Sequence, residues 1–194
     1  MKKFILLLVF GIFISSSSFS QTRAERKQAK KERIENQYSE TKALIESGNF
    51  KFEAKWAIPL GNDISNLGLS IPGGSAIFQG GRVDISNNSN MVSIDGNNAD
   101  VYLPYFGRVF FPKRVSNERG IQYKGEIEDY TVDYNEKKKI IILKFKANSP
   151  GDFLKFIYRI NYGGSTTLTV NSTNRQTISY NGRLVQNSTE ITKN

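Results

Sequence analysis

Neither cysteine nor histidine occurs among the 194 residues. Without cysteine there is no disulfide framework, no thiolate nucleophile and no lipoprotein attachment site. Without histidine the chain has no Ser-His-Asp triad, no imidazole acid-base group and none of the usual zinc ligand sets. An enzyme built from this chain would have to rely on Asp, Glu, Lys, Tyr or Ser, so a non-enzymatic role is expected, with no metal and no cofactor. Long apolar runs are also scarce. The only one, Phe4 to Ile14, is eleven residues long, against the about 20 needed to cross a bilayer as a helix.

That run follows Met1-Lys2-Lys3 and precedes the small polar stretch Ser15 to Ser20, the layout of a secretory signal peptide. Ser18 and Ser20 suit the −3 and −1 positions, so cleavage is expected after Ser20, releasing a periplasmic or secreted protein with no membrane span. The formal charge is +9; removing Lys2 and Lys3 leaves 9 − 2 = +7. Such a balance favours solubility and loose contact with anionic surfaces.

Residues 21–48 read as a basic helical segment. Thr22 to Ser47 lacks proline and glycine and is rich in Ala, Glu, Lys, Arg and Gln. Ile34, Tyr38, Thr41 and Ile45 share one narrow face, and Gly48 is the expected stop. Arg23 to Arg33 has almost no apolar face and should be solvated.

Residues 49–182 read as antiparallel β structure. Asn49 to Pro59 alternates strictly, with Phe50, Phe52, Ala54, Trp56 and Ile58 on one face. Asn66 to Ile71 is a weaker strand, ended by Pro72-Gly73-Gly74. Val83 to Ser86 and Met91 to Ile94 look like hairpin arms around Asn87 to Asn90. Asp95-Gly96-Asn97-Asn98 is a tight turn that feeds Val101 to Arg108, a strand bending at Pro104. Gly120 to Lys124 and Ile127 to Tyr134 follow. Tyr130, Val132 and Tyr134 alternate out of step with Ile127, so a bulge is expected near Glu128-Asp129. Lys139 to Ala147, Phe153 to Tyr162, Thr166 to Asn171 and Gln176 to Gly182 complete about nine or ten strands joined by short turns. An up-and-down barrel removes open edges; a two-sheet sandwich is the alternative. Residues 183–194 read as a polar tail.

Four runs, Glu46 to Pro59 (ESGNFKFEAKWAIP), Asp100 to Arg108 (DVYLPYFGR), Gly120 to Lys139 (GIQYKGEIEDYTVDYNEKKK) and Thr167 to Gly182 (TLTVNSTNRQTISYNG), resemble in this order the family called domain of unknown function 4251, exported proteins of Bacteroidetes-type bacteria. The resemblance implies an exported all-β domain, lipocalin-like, with no assigned activity and no catalytic residue to carry over. The stretch 62–82 fits the family pattern least.

Several constellations offer chemistry, and each has a plainer reading. Glu126, Glu128 and Asp129 pair carboxylates as a glycosidase would, yet suit a solvated bulge. Asp95, Asn97 and Asp100 supply oxygens without calcium-loop spacing. Ser39-Glu40-Thr41-Lys42 matches a Ser-x-x-Lys motif but lies on a polar helix with no Lys-Thr-Gly partner. Gly73, Gly74, Gly80 and Gly81 lack the Gly-Lys-Ser/Thr of a phosphate loop. Lys137 to Lys139 with Lys155 and Arg159 make a basic group that also serves to protect edges. Tyr102, Tyr105, Phe106, Phe110 and Phe111 are more aromatic surface than one bent strand hides. The leading expectation is therefore a binding module holding a small apolar or amphiphilic ligand in the barrel, with Trp56, Tyr102, Tyr105 and Phe106 at the cavity. The second is an envelope protein touching anionic lipid or polysaccharide through the basic helix and lysine-bearing hairpins, and the third a carboxylate hydrolase. No nucleic-acid partner is expected.

Overall fold

Alternating apolar and polar side chains organise almost everything after Gly48 into strands. The computed structural model describes residues 22–60, 78–86, 89–110, 120–149 and 151–187. The leader, the strand expected at Asn66 to Ile71, the glycine-rich stretch up to residue 77 and Phe111 lie outside them. The strands are β1 (Asn49–Pro59), β2 (Phe78–Gln79), β3 (Arg82–Asp84), β4 (Met91–Asp95), β5 (Asn98–Pro104) and β6 (Gly120–Glu126). They continue as β7 (Glu128–Asn135), β8 (Ile140–Ser149), β9 (Asp152–Asn161), β10 (Ser165–Ser172) and β11 (Ile178–Gln186).

One antiparallel path, β6-β5-β4-β1-β11-β10-β9-β8-β7, makes a nearly closed nine-strand barrel. The first and last long strands pair along nearly their full length, from Phe50 opposite Gln186 to Pro59 opposite Ile178. The ends of the path fall at β6 and β7, which are joined by Ile127 alone. The two form one bent strand whose first half bonds to β5 and whose second half bonds to β8. The bend is the expected bulge: register shifts between Glu128 and Thr131, and Asp129 takes a φ of 52°. The extra residue lets both Ile127 and Val132 turn inward despite their odd spacing.

The inward set is large and aromatic. Phe50, Phe52, Phe145, Phe156, Tyr158 and Tyr180 are all buried, each contributing about 1.5–3 kcal/mol or more of apolar burial. Phe145 stacks on Phe156 at 4.6 Å between centroids, and Phe52 meets Tyr158 edge-on at 5.8 Å, the two arrangements that a ring quadrupole favours.

Three expectations change. Trp56 does not share the inward face of Phe52. A bulge between Ala54 and Trp56 reverses the alternation, so that Ala57 and Pro59 are buried and Trp56 and Ile58 face outward. Arg82 places its guanidinium over the Trp56 ring at 4.2 Å. Second, β3 and β4 are not hairpin arms. Val83 pairs with Ala57 and Val92 with Phe52, so the two strands follow one another along the same edge of β1. Between them Asn90 Nδ2 donates to Ile85 O at 2.6 Å. Third, residues 183–186 are not tail. Leu184 is buried, and Val185 and Gln186 still pair with β1.

Helix α1 (Arg23–Glu46) precedes the barrel, and the chain divides into two units between Arg33 and Ile34. In the first, Thr22 and Glu25 form a capping box: Glu25 N donates to Thr22 Oγ1 at 3.2 Å and Thr22 N to Glu25 Oε2 at 2.8 Å. Every described residue there, up to Arg33, is exposed, as its lack of an apolar face implies. In the second unit the later turns of α1 bury Tyr38, Thr41 and Ile45. Thr41 Oγ1 donates to Tyr162 O at 2.9 Å, and Lys139 Nζ reaches Glu35 Oε1 at 2.7 Å. Those turns therefore cover the barrel end that carries the β7–β8 and β9–β10 connections. No helix among the described residues is long and apolar enough to cross a membrane.

Candidate functional site: the mouth of the barrel

The end opposite α1 is built from the connections that leave β1 and β5 and from those joining β8 to β9 and β10 to β11. Residues 173–176, between β10 and β11, act as its spine. Thr173 N donates to Phe153 O at 3.2 Å, Phe110 N to Asn174 O at 2.8 Å, and Gln176 Nε2 to Leu60 O at 2.9 Å. Arg175 bridges to Val109. Four consecutive residues thus tie down the backbones of Phe153, Phe110, Val109 and Leu60, whose large apolar side chains are exposed.

Buried polar groups hold the spine in place. Asp152, only 9% exposed, accepts at Oδ1 from Ser172 Oγ at 2.7 Å, Thr173 Oγ1 at 3.1 Å and the Thr173 and Asn174 amides at 3.2 and 3.4 Å. Arg175 Nε stands 4.0 Å from the other Asp152 oxygen, its terminal nitrogen donates to Gly120 O, and its guanidinium lies 5.4 Å from the Tyr105 ring centre. Tyr105 directs its hydroxyl to Arg108 O at 2.7 Å and Gln176 O at 3.0 Å. Burial raises the Tyr105 phenol above its ordinary value, with the bond to Gln176 and the Arg175 charge acting the other way. Below the rim Tyr180 donates to Pro104 O at 2.7 Å, and burial pushes its phenol up further.

The residues singled out in the sequence are only partly brought together. Tyr105 and Phe106 sit at the mouth, packed against the core. Tyr102 is 51% exposed on the outside of β5, beside a shallow cleft with Asn90 and Gln122. Trp56 is on the outer face of β1. Glu126, Glu128 and Asp129 are exposed along the β6–β7 bend, where Lys146 pairs with Asp129. Asp100 pairs with Lys124 at 3.3 Å. Asp152 and Arg175 were not foreseen. The donors that hold Asp152 are Ser172, Thr173 and Asn174, about twenty residues further along the chain, so no local signal marks it.

Within the barrel, the Tyr158 hydroxyl is fully buried and has no hydrogen-bond partner. Burial raises its phenol well above the ordinary value, with Tyr130 adding to the effect. Tyr130 itself, beside the β6–β7 bend, is pushed up to about 12 by burial.

A helix-ended, nearly closed antiparallel barrel with a latched mouth defines an all-β, barrel-like domain. The chain belongs to the family described as Domain of unknown function (DUF4251), whose model matches residues 32–184. It is similar in fold to the crystal structure of a DUF4251 family protein from Bacteroides eggerthii DSM 20697, with a TM-score of 0.51 and 17% identity over 77% of this chain and 87% of that one. No curated protein matches it significantly.

Proposed function

We propose that the protein is an exported, non-enzymatic binding domain that takes an apolar or amphiphilic ligand at the mouth of its barrel. The observation that carries this reading is that Leu60, Val109, Phe110 and Phe153, all exposed, are tied through their backbones to the one segment 173–176. Clustered exposed apolar side chains are costly in water and commonly mark a binding surface. Scattered single residues would carry no such meaning. Phe145, Phe156 and Tyr158 stack on one another within the barrel, and we take the contact surface to be the rim. Tyr105 and Phe106 remain part of it, whereas Trp56 and Tyr102 do not. Export rests on the basic start, short apolar run and small polar stretch of residues 1–20.

The test is titration of a dansyl-labelled long-chain fatty acid into wild type and into Phe110→Ser/Phe153→Ser, paired with native mass spectrometry of protein purified from its own host. Wild type should enhance dansyl emission and the double variant should not, with both melting alike. Equal binding by the two proteins, or none by wild type together with no co-purified species, overturns the proposal.

A further inference from the structure

The outward positions of β8 and β9 carry Lys144, Lys146, Lys155 and Arg159, and no outward position from β8 through β11 carries a carboxylate. Register sets Lys146 directly opposite Lys155, an arrangement that repels. Lys146 is relieved by Asp129 on β7. Among the described residues, no carboxylate comes within ion-pair distance of Lys144, Lys155 or Arg159. Strand spacing places Lys146 about 5 Å from Lys155 and about 7 Å from Lys144, while Arg159 stands about 13 Å along β9 from Lys155, with Ile157 between them.

Beside this grid, β10 and β11 present a row of short polar groups. Thr169 Oγ1 lies 3.0 Å from Ser179 Oγ, and Thr167 Oγ1 donates to Asn181 Oδ1 at 3.0 Å. Each hydroxyl can both donate and accept, so the ladder keeps bonding capacity toward a partner above it.

We propose that the outer face of β8–β11 is a binding surface for an acidic polysaccharide. The cations match carboxylates repeated along such a chain, and the hydroxyl and amide ladder matches its sugar hydroxyls. An anionic bilayer fits less well, because the outward positions of β10 are Ser, Thr and Asn, and Phe153 is the single large apolar side chain left exposed at the outward positions of β8–β11. The face adjoins the mouth at Phe153, over whose ring Lys146 lies at 5.8 Å, and the substitutions that test the two readings fall on different residues.

The probe is sodium alginate, a polyuronate, with the protein titrated at low and high salt. The face variant is Lys144→Ser/Lys155→Ser/Arg159→Ser; the control is Lys27→Ser/Lys30→Ser/Lys31→Ser, which removes the same charge from exposed turns of α1. At low ionic strength the face variant should bind alginate about tenfold more weakly than wild type and the control less than about twofold, with wild-type binding fading as salt rises. Matching melting curves establish that the variants are folded. Should the face variant misfold, backbone amide shifts of wild type titrated with alginate should move on β8–β11. Equal loss in the two variants, shifts elsewhere, no wild-type binding, or loss confined to vesicles of equal phosphatidylglycerol and phosphatidylcholine would overturn the proposal.

Discussion

The Tyr180 hydroxyl donates to Pro104 O at 2.7 Å, tying the end of β5 to the middle of β11 just beneath the mouth. The bond joins strands that are three apart in the sheet order, and its donor is fully buried. Tyr180→Phe keeps the ring and leaves the Pro104 carbonyl without that donor. It should lower unfolding stability by about 1–2 kcal/mol, measured by urea denaturation. The loss should come with faster amide exchange at residues 103–106.

The closing pair β1–β11 depends on a missing side chain. A Cβ at Gly182 would stand 2.0 Å from Glu53 O and 2.8 Å from the Phe52 ring. Gly182→Ala must force these strands apart beside the bulge that turns Trp56 outward. A loss of about 3 kcal/mol or more is expected, with weakened exchange protection on both strands.

At the rim, Asp152 collects four donors on one oxygen. Asp152→Ala should destabilise the fold by about 3 kcal/mol and free residues 172–174. Because Phe153 and Phe110 hang from that segment, binding of the dansyl probe should fall as well. Asp152→Asn retains a carbonyl acceptor and should recover much of the stability.

Alkali should unfold this protein in a defined window. Tyr130 is raised from 10.0 to about 12, and burial raises Tyr158 and Tyr180 too. A phenol with a raised folded value favours the folded state while protonated. That contribution is fully present below about pH 10, the unfolded value, and is lost as pH rises toward the folded value. Phenolate absorbance should therefore appear in two phases: exposed tyrosines first, and the buried ones only with the loss of β-sheet circular dichroism. A single smooth titration with the sheet intact would contradict the burial described.

Much of the barrel can be read directly from local pattern. β8 and β9 alternate cleanly because each packs one face on the core throughout, and the slip between Ile127 and Tyr130 announces its bulge. Helix α1 follows from composition and from the spacing of Tyr38, Thr41 and Ile45. Trp56 could not be placed this way. Its outward turn goes with a bulge in the pairing of β1 with β11, at the point where β3 and β4 meet β1 separately, a relation between distant residues. The extension of β11 past Gly182 was hidden because Arg183 and Gln186 are polar where they face solvent, and only pairing with β1 makes them strand. The mouth was hardest to see: Asp152 and Arg175 are ordinary turn residues until the fold brings them together.

Only the peptide link through Ile127 separates the two termini of the sheet path, so the barrel wall has its seam where the chain is continuous. Each of these borders, one on β6 and one on β7, already lacks a strand partner on one side among the described residues, and the continuous chain is what holds the two together. Such borders recruit strands from neighbouring copies. A single nick at this junction would therefore let the two borders part, each free to pair with a strand of another copy.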